Sequence, residues 1–199
     1  MADLLQECAK AFERLTNYQY HIVAGRSKNS IKEKIELTIT FHAAEFYHLA
    51  GLHKLSDLSQ FRRLKRSDVI AMLTNGKLTE AQARKSVYFS DIEDRLELVG
   101  MLEHFIDSNE LVFRYQSKYT GGTMIEADYL MQNKIAMRIA YLFLAQRKED
   151  ETMVCKSFFY KKEKDYARGQ QKFKLLYKSK TDRRTGETVV QYDKLTGES

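Results

Sequence analysis

The spacing of apolar side chains changes twice along the chain, and this change limits the folds that it can adopt. The segment KIELTITF (34–41) alternates apolar and polar residues, which is typical of a half-buried β-strand. From about residue 68 the apolar residues recur at helical spacing instead, as in the stripe from Ile92 to Ile106. From residue 111 onward the alternation returns. We therefore predict an α+β fold with its main helices grouped in the middle of the chain.

The expected elements make up a single domain, residues 1–199. An amphipathic helix is expected near the N-terminus (3–16), followed by a β-hairpin (18–41) whose turn is the polar segment RSKNS. Residues 56–109 are expected to form a helical insert. After the insert, the strand patterns predict an antiparallel sheet of about four strands.

Two helix-start signals are found in the helical insert. Thr79 is followed by Gln82, and Ser90 by Glu93, which is the spacing of the capping box. In that motif the first and fourth side chains each accept a hydrogen bond from the other residue's backbone N–H group. We therefore expect helices to begin after Thr79 and after Ser90.

Positive charge is concentrated toward the C-terminal end of the chain. The formal net charge is +6, and residues 151–184 contain eleven Lys or Arg against four Asp or Glu. A local positive field attracts a polyanion, and the aromatic residues of the same segment are suited to stacking on bases. A solvated face of a sheet would have a similar composition. Charge alone leaves both interpretations open.

The composition also indicates where in the cell the protein is expected. The chain has two cysteines, no apolar run long enough to span a membrane, and no small-residue cleavage site after its first apolar segment. We therefore expect a cytoplasmic protein with no membrane partner, located in the host cytoplasm if a phage encodes it.

Histidines cluster around the segment FYHLAGLHKL (46–55), in which Gly51 is expected to end a buried helix. His42 lies six residues before His48, and His48 lies five before His53. These spacings miss the i,i+4 separation of paired metal ligands on a helix, so no metal site is predicted. A histidine near a helix end also serves as a structural residue that contacts terminal carbonyls, and this alternative stays open.

Acid–base catalysis is the chemical interpretation favoured for this segment. The 2′-hydroxyl of RNA is itself the nucleophile. A protein must therefore supply a base for its proton, an acid for the leaving 5′-oxygen and a cation for the phosphate. Imidazole titrates near neutral pH, and His48, His53 and Lys54 are of the required types. No cofactor is expected.

Four segments of the chain together resemble the phage-associated branch of the barnase/EndoU/colicin/RelE-like (BECR-fold) ribonuclease superfamily: YQYHIVAGR (18–26), HLAGLHKLSDL (48–58), DYLMQNKI (128–135) and SFFYKKEKDYARGQQKFKLLYK (157–178). The resemblance implies a compact, metal-independent ribonuclease, built from a helix and a four-stranded sheet and carried by phages or mobile elements. It also implies an active site with His48, His53 and Lys54 at one edge. The residues that would face them from the sheet are Ser157, Tyr166 and Gln170.

The functional hypothesis is a metal-independent endoribonuclease that leaves a 2′,3′-cyclic phosphate. It would act on host RNA as a phage or mobile-element effector, either a toxin or an anti-CRISPR-type protein that destroys guide RNA. The partner would be RNA or a ribonucleoprotein, with the helical insert as a candidate surface for a protein partner. The alternative is a non-catalytic inhibitor that binds a host nucleoprotein or nucleic acid through a basic surface.

Specific residues are assigned to each role of this hypothesis. The expected catalytic residues are His48, His53, Lys54, Ser157 and Tyr166. The expected RNA-binding residues are the basic and polar side chains Lys161, Lys162, Lys164, Arg168, Gln170, Lys172 and Lys174.

Overall fold

The secondary structure follows the two changes of period seen in the sequence. A computed structural model describes residues 3–26, 34–121 and 123–195. The helices in these residues are α1 (Leu4–Leu15), α2 (Ala43–Leu49), α3 (Ser59–Arg62), α4 (Val69–Thr74), α5 (Glu80–Ala83), α6 (Ser90–Gly100) and α7 (Leu102–Asp107). The strands are β1 (Tyr18–Gly25), β2 (Lys34–Thr40), β3 (Leu111–Arg114), β4 (Tyr129–Ile135), β5 (Arg138–Gln146), β6 (Met153–Tyr160), β7 (Gln171–Asp182) and β8 (Thr188–Asp193).

These strands form one continuous sheet in the order β1-β2-β6-β5-β4-β3-β7-β8. Strand β1 pairs with β7 as well as with β2, so the first seven strands of this order close into a barrel. Strand β8 adds to β7 as an extra strand. One seam is parallel, because β2 meets β6 through the single bridge between Ile39 and Met153. The protein is therefore an α+β fold built around a mixed, closed seven-stranded barrel.

The prediction of an antiparallel sheet of about four strands is wrong. The alternation of side chains shows which face of a strand is buried, but it does not show which strand lies at each edge. Strand β1 hydrogen-bonds along both edges, so the N-terminal hairpin is part of the barrel rather than a separate unit. The predicted turn RSKNS lies outside the described residues except for Arg26.

Helices α1, α2, α6 and α7 share one large apolar core with the sheet. Phe12 of α1 packs edge-on against Phe41, with ring centroids 6.2 Å apart, and Phe41 packs in the same way against Tyr20 of β1. A smaller cluster lies apart from this core and includes Tyr141 and Phe143 of β5. Helix α6 packs against both α1 and β6, which fixes the helical layer against the barrel.

A buried ion pair ties α2 to the parallel seam of the barrel. Arg147, just after β5, donates to Glu45 of α2 at 2.6 Å, and both side chains are 11% exposed. The same guanidinium donates to the carbonyl oxygen of Thr40 and to the hydroxyl of Thr152, each at 3.1 Å. Burial raises the pKa of Glu45, and the hydrogen bond from Arg147 opposes that rise. The pair therefore compensates two buried charges at the seam held by a single backbone bridge.

A buried lysine completes the C-terminal end of α7. The ammonium group of Lys178 in β7 donates to the carbonyl oxygens of Ile106 at 2.9 Å, Asn109 at 3.2 Å and Asp107. These carbonyls include acceptors that the helix itself leaves without partners, and they lie at the negative end of the helix dipole. Burial lowers the pKa of Lys178. The lysine thus joins the last helix to the strand that closes the barrel.

Replacing Arg147 by methionine tests the role of the seam. We expect Arg147→Met to lower the free energy of unfolding by about 3–5 kcal/mol, because it leaves the Glu45 carboxylate buried without its cation. Urea denaturation of both proteins measures the difference.

The adjacent lysine provides the control. Lys148 is exposed, so Lys148→Met should change the stability by less than about 0.5 kcal/mol. Equal effects of the two substitutions would show that the ion pair has no special role.

Candidate active site

The site begins at the turn that ends α2. Gly51 has φ +77°, a left-handed conformation that favours glycine, and it separates α2 from a 3₁₀ turn at Leu52–Lys54. A Cβ atom at Gly51 would lie 2.9 Å from Cγ2 of Ile92 and 3.0 Å from Cδ of Arg95. The turn is therefore pressed against α6, and a side chain at this position would push α6 away.

This turn brings His48 and His53 together. Five residues apart on a continuous helix, the two side chains would point in directions that differ by about 140°. Across the glycine turn their rings instead stack, with centroids 4.5 Å apart and an angle of 17° between the planes. The ring of Tyr47 also adjoins His53, with centroids 6.4 Å apart and the planes tilted by 56°. The two histidines thus form a unit, which we call the histidine pair.

Positive charges surround the histidine pair. Desolvation, together with the nearby His48, Arg95, Lys54 and Arg66, lowers the pKa of His53 to about 4. Desolvation also lowers the pKa of His48, with Arg95 and Arg66 contributing again. Both imidazoles are therefore neutral at pH 7 and able to accept a proton. Such a concentration of positive charge favours a bound anion.

A cleft of about 540 Å³ opens next to the histidine pair: Lys54, which follows His53, and Arg95 line it, whereas neither His48 nor His53 is among its lining residues. Its walls come from α6, from β6 and from the segments that follow β3 and β6. The residues of the cleft wall relevant to the chemistry are Lys54, Asp91, Arg95, Ser157, Phe159, Lys162 and Tyr166. Three of the predicted catalytic residues, Lys54, Ser157 and Tyr166, therefore lie on one cavity, and Lys54 directly follows His53 in the chain.

Arg95 is a cleft residue that the sequence did not single out. Its guanidinium lies 5.9 Å from the ring centroid of Phe159, and burial lowers its pKa. Among the described residues no carboxylate forms an ion pair with Arg95. The neighbouring Asp94 instead accepts hydrogen bonds from Arg138 at 3.0 and 3.2 Å. A half-buried cation without a counter-charge is a ready site for a phosphate. Its one sequence signal is a position three residues after Ile92, at the edge of the apolar stripe of α6.

Tyr166 is held in place by the segment around it. Asp165 accepts hydrogen bonds from the Tyr141 hydroxyl at 2.9 Å and from the backbone N–H of Ala167 at 3.1 Å, and it pairs with Lys161 at 2.7 Å. These bonds set the ring of Tyr166 edge-on against Phe159, with centroids 5.5 Å apart. Burial raises the pKa of Tyr166, so the phenol stays protonated at neutral pH. It can therefore donate a proton or a hydrogen bond into the cleft.

The predicted RNA-binding residues are spread over several places. Lys162 lines the cleft, whereas Lys161 is engaged by Asp165 and Lys164 donates to the carbonyl oxygen of Gly121 at 3.3 Å. Arg168 is exposed. Only part of the predicted set is thus gathered at the cleft.

The three remaining members of that set lie near or on β7. Gln170 is buried, and its amide exchanges two hydrogen bonds with the backbone of Gln116, at 2.9 and 3.0 Å. Lys172 and Lys174 lie on β7 itself, and Lys174 lines a different cavity of about 370 Å³. The amide of Gln170 is therefore committed to the fold.

The described residues hold neither a cluster of metal ligands nor a membrane-spanning helix. In residues 3–26, 34–121 and 123–195, no three His, Cys, Asp or Glu side chains are grouped as metal ligands. Across the same part of the chain, every helix falls short of the length and hydrophobicity that crossing a bilayer requires. Both cysteines, Cys8 and Cys155, are buried free thiols.

Comparison with known proteins gives one match. A family model described as "phage-Barnase-EndoU-ColicinE5/D-RelE like nuclease4" (PBECR4) matches residues 4–195, whereas no curated protein and no solved structure matches the chain significantly. The match covers nearly the whole chain, and it confirms the resemblance drawn from the segments around the histidine pair and β6. The chain belongs to this family of BECR-fold nucleases.

Proposed function

We propose that the protein is a metal-independent endoribonuclease that cleaves RNA by attack of the 2′-hydroxyl on the adjacent phosphorus, leaving a 2′,3′-cyclic phosphate. One observation carries the proposal. A neutral, stacked pair of histidines lies beside a cleft where Arg95 has no carboxylate partner in the described part of the chain. This arrangement offers a base and an anion site together, which are the two groups that the reaction needs first.

His53 is assigned as the general base. Its low pKa keeps the imidazole unprotonated at pH 7, and a bound phosphate raises that pKa toward neutrality, where a base is most effective. His48 acts as a positioning residue, because its ring stacks on His53 and limits the orientation of that ring. Lys54 and Arg95 bind the non-bridging phosphate oxygens and stabilise the charge that grows in the transition state.

Tyr166 is assigned as the general acid on the opposite wall of the cleft. His53 takes the proton of the 2′-hydroxyl as the new bond from 2′-oxygen to phosphorus forms. Tyr166 gives its proton to the 5′-oxygen as the bond from phosphorus to that oxygen breaks. Ser157, on β6, orients the phosphate through its hydroxyl.

The biological role is proposed from the family alone. Its description ties the chain to phages. We infer an effector that acts on host RNA in the cytoplasm, as a toxin or as an anti-CRISPR-type protein that destroys guide RNA. The whole chain would act as a single domain, and the helical insert of residues 56–109 stays a candidate surface for a protein partner.

The substitution His53→Ala tests the catalytic assignment. Purified protein should cut RNA in excess EDTA, and His53→Ala should lower kcat/KM by about 10²- to 10⁴-fold through the loss of the general base. The measurement is an RNA digest with analysis of the product ends, in which wild type should leave 2′,3′-cyclic phosphates. His104→Ala is the matched control, because His104 is an exposed histidine on α7.

Two outcomes would contradict the proposal. Cleavage that depends on an added metal would show that the proposed metal-independent mechanism is wrong. If wild type left RNA uncut but bound it, and charge reversal at Lys172 and Lys174 abolished that binding while His53→Ala kept it, the protein would instead be the non-catalytic binder.

The titration of His53 provides an independent test by NMR. In the free protein its pKa should be about 4. A bound 2′-deoxy oligonucleotide, which cannot be cleaved by this route, should raise that pKa because its phosphate favours the protonated ring. Since protonated His53 binds the anion more tightly, affinity should increase as the pH falls from 7 toward 4. An unchanged pKa on binding would show that no phosphate lies near His53.

A further inference from the structure

A second basic surface lies outside the cleft, in the segment FRRLKRS (61–67). This stretch of the helical insert contains four cations and no acid. The four side chains are exposed, and none of them pairs with a carboxylate in the described residues. We call this set the basic ridge: Arg62, Arg63, Lys65 and Arg66.

The backbone of the basic ridge is fixed by its apolar neighbours. Phe61 is fully buried in the core, and its carbonyl oxygen accepts a hydrogen bond from the hydroxyl of Tyr47 at 3.1 Å. The next apolar residue, Leu64, packs partly against the same core. Apolar positions thus hold the segment down while the intervening cations point to solvent.

The nearest acids in the chain have partners of their own. Asp57 accepts hydrogen bonds from the hydroxyl of Ser86 at 2.5 Å and from the backbone N–H of Val87 at 3.0 Å. Asp68 accepts one from the hydroxyl of Ser67 at 2.7 Å. In the described residues, neither carboxylate forms an ion pair with a cation of the ridge.

The ridge lies directly beside the histidine pair. Helix α3 packs against the Leu52–Lys54 turn, and the 3₁₀ turn at Arg66–Asp68 packs against α2, so both ends of the ridge adjoin elements that carry the pair. The charge of Arg66 acts on both His48 and His53. A polyanion bound at the pair would therefore meet the ridge as it leaves the cleft.

We propose that the basic ridge is a second RNA-binding surface, which holds the phosphates of the substrate strand on one side of the scissile bond. This inference rests on the proposed ribonuclease function. The partner is the backbone of the RNA rather than its bases, because the exposed side chains of the ridge are cations without an aromatic among them. Each phosphate that the ridge neutralises releases counterions, so this part of the binding depends on salt.

The test compares a short and a long substrate with a triple variant. Arg62→Gln, Arg63→Gln and Lys65→Gln are combined, and Arg66 is kept because it adjoins the histidines. Cleavage of a dinucleotide should be unchanged. For an unstructured RNA of about 20 nucleotides, kcat/KM should fall on the order of 10- to 100-fold through KM.

Salt dependence gives a second measurement on the same proteins. Binding of the longer RNA is followed by fluorescence anisotropy between about 50 and 200 mM salt, with a 2′-deoxy residue at the cleavage site. The slope of log K against log salt should become less negative by about 2, which corresponds to three lost phosphate contacts on a single strand.

A second triple variant controls for net charge. Arg14→Gln, Lys77→Gln and Lys85→Gln remove the same charge from other exposed positions. These changes should leave both kcat/KM and the slope near wild type. Equal losses in the two triple variants would overturn the ridge as a site, because net charge alone would then explain them.

The remaining outcomes separate the ridge from the catalytic proposal. If wild type cuts neither substrate, the ribonuclease proposal fails, but the change of slope still tests RNA binding at the ridge. If wild type cuts both and the ridge variant keeps its KM and its slope, the ridge proposal fails. An acidic protein partner would then be the better explanation of the exposed charges.

Discussion

The Arg147–Glu45 ion pair is the interaction on which the geometry of the site depends most. A single backbone bridge joins β2 to β6, so side-chain contacts must provide the remaining interactions between these two strands. Arg147 does so by bonding Thr40, Thr152 and Glu45 at once, and Glu45 lies in the helix that ends at the histidine pair. The same contact therefore strengthens the seam between β2 and β6 and holds α2, which carries His48, against it. The stability of the barrel and the geometry of the candidate site are coupled there.

The region of the histidine pair contains features that lower the stability of a fold. Its cations repel one another, and Gly51 takes a conformation that costs other residues energy. Such local conflicts are typical of functional sites, and the well-packed remainder of a domain offsets them. Here the offset comes from the large core shared by α1, α6 and the sheet. A charge arrangement that disfavours the empty protein favours the complex with a polyanion.

Local features of the fold were accessible from the sequence, because their causes lie within a few residues. The Thr79–Gln82 capping box is present with both of its hydrogen bonds, and Gly51 ends α2 as its position after an apolar helix indicated. The Ser90–Glu93 box is absent: Ser90 lies inside α6, whose N-terminal flanking residue is Phe89. The chain there passes from a turn into the helix without needing a side-chain cap.

Features that depend on distant partners could not be predicted in the same way. A count of charges over 151–184 does not reveal that Lys161 is paired with Asp165. Nor does it reveal that Arg95, outside this segment, has no carboxylate partner in the described structure. Barrel closure escaped prediction for the same reason, since β1 gives no local sign of its second neighbour. Sequence patterns proposed residue types for the candidate site, but the three-dimensional structure was needed to show which of its charges lack an ion-pair partner in the described residues.

The hydrogen bonds from Lys178 to the C-terminal end of α7 have a consequence for the order in which parts of the chain fold during synthesis. The lysine emerges from the ribosome 72 residues after Ile106, whose carbonyl it binds, and the pairing of β1 with β7 spans a still longer stretch of chain. Contacts of such long range form late, because much of the polypeptide must first be available. Until then β1 has an unpaired edge. Strand β7 is thus translated after the six other strands of the barrel, and closing the barrel is a late step in folding.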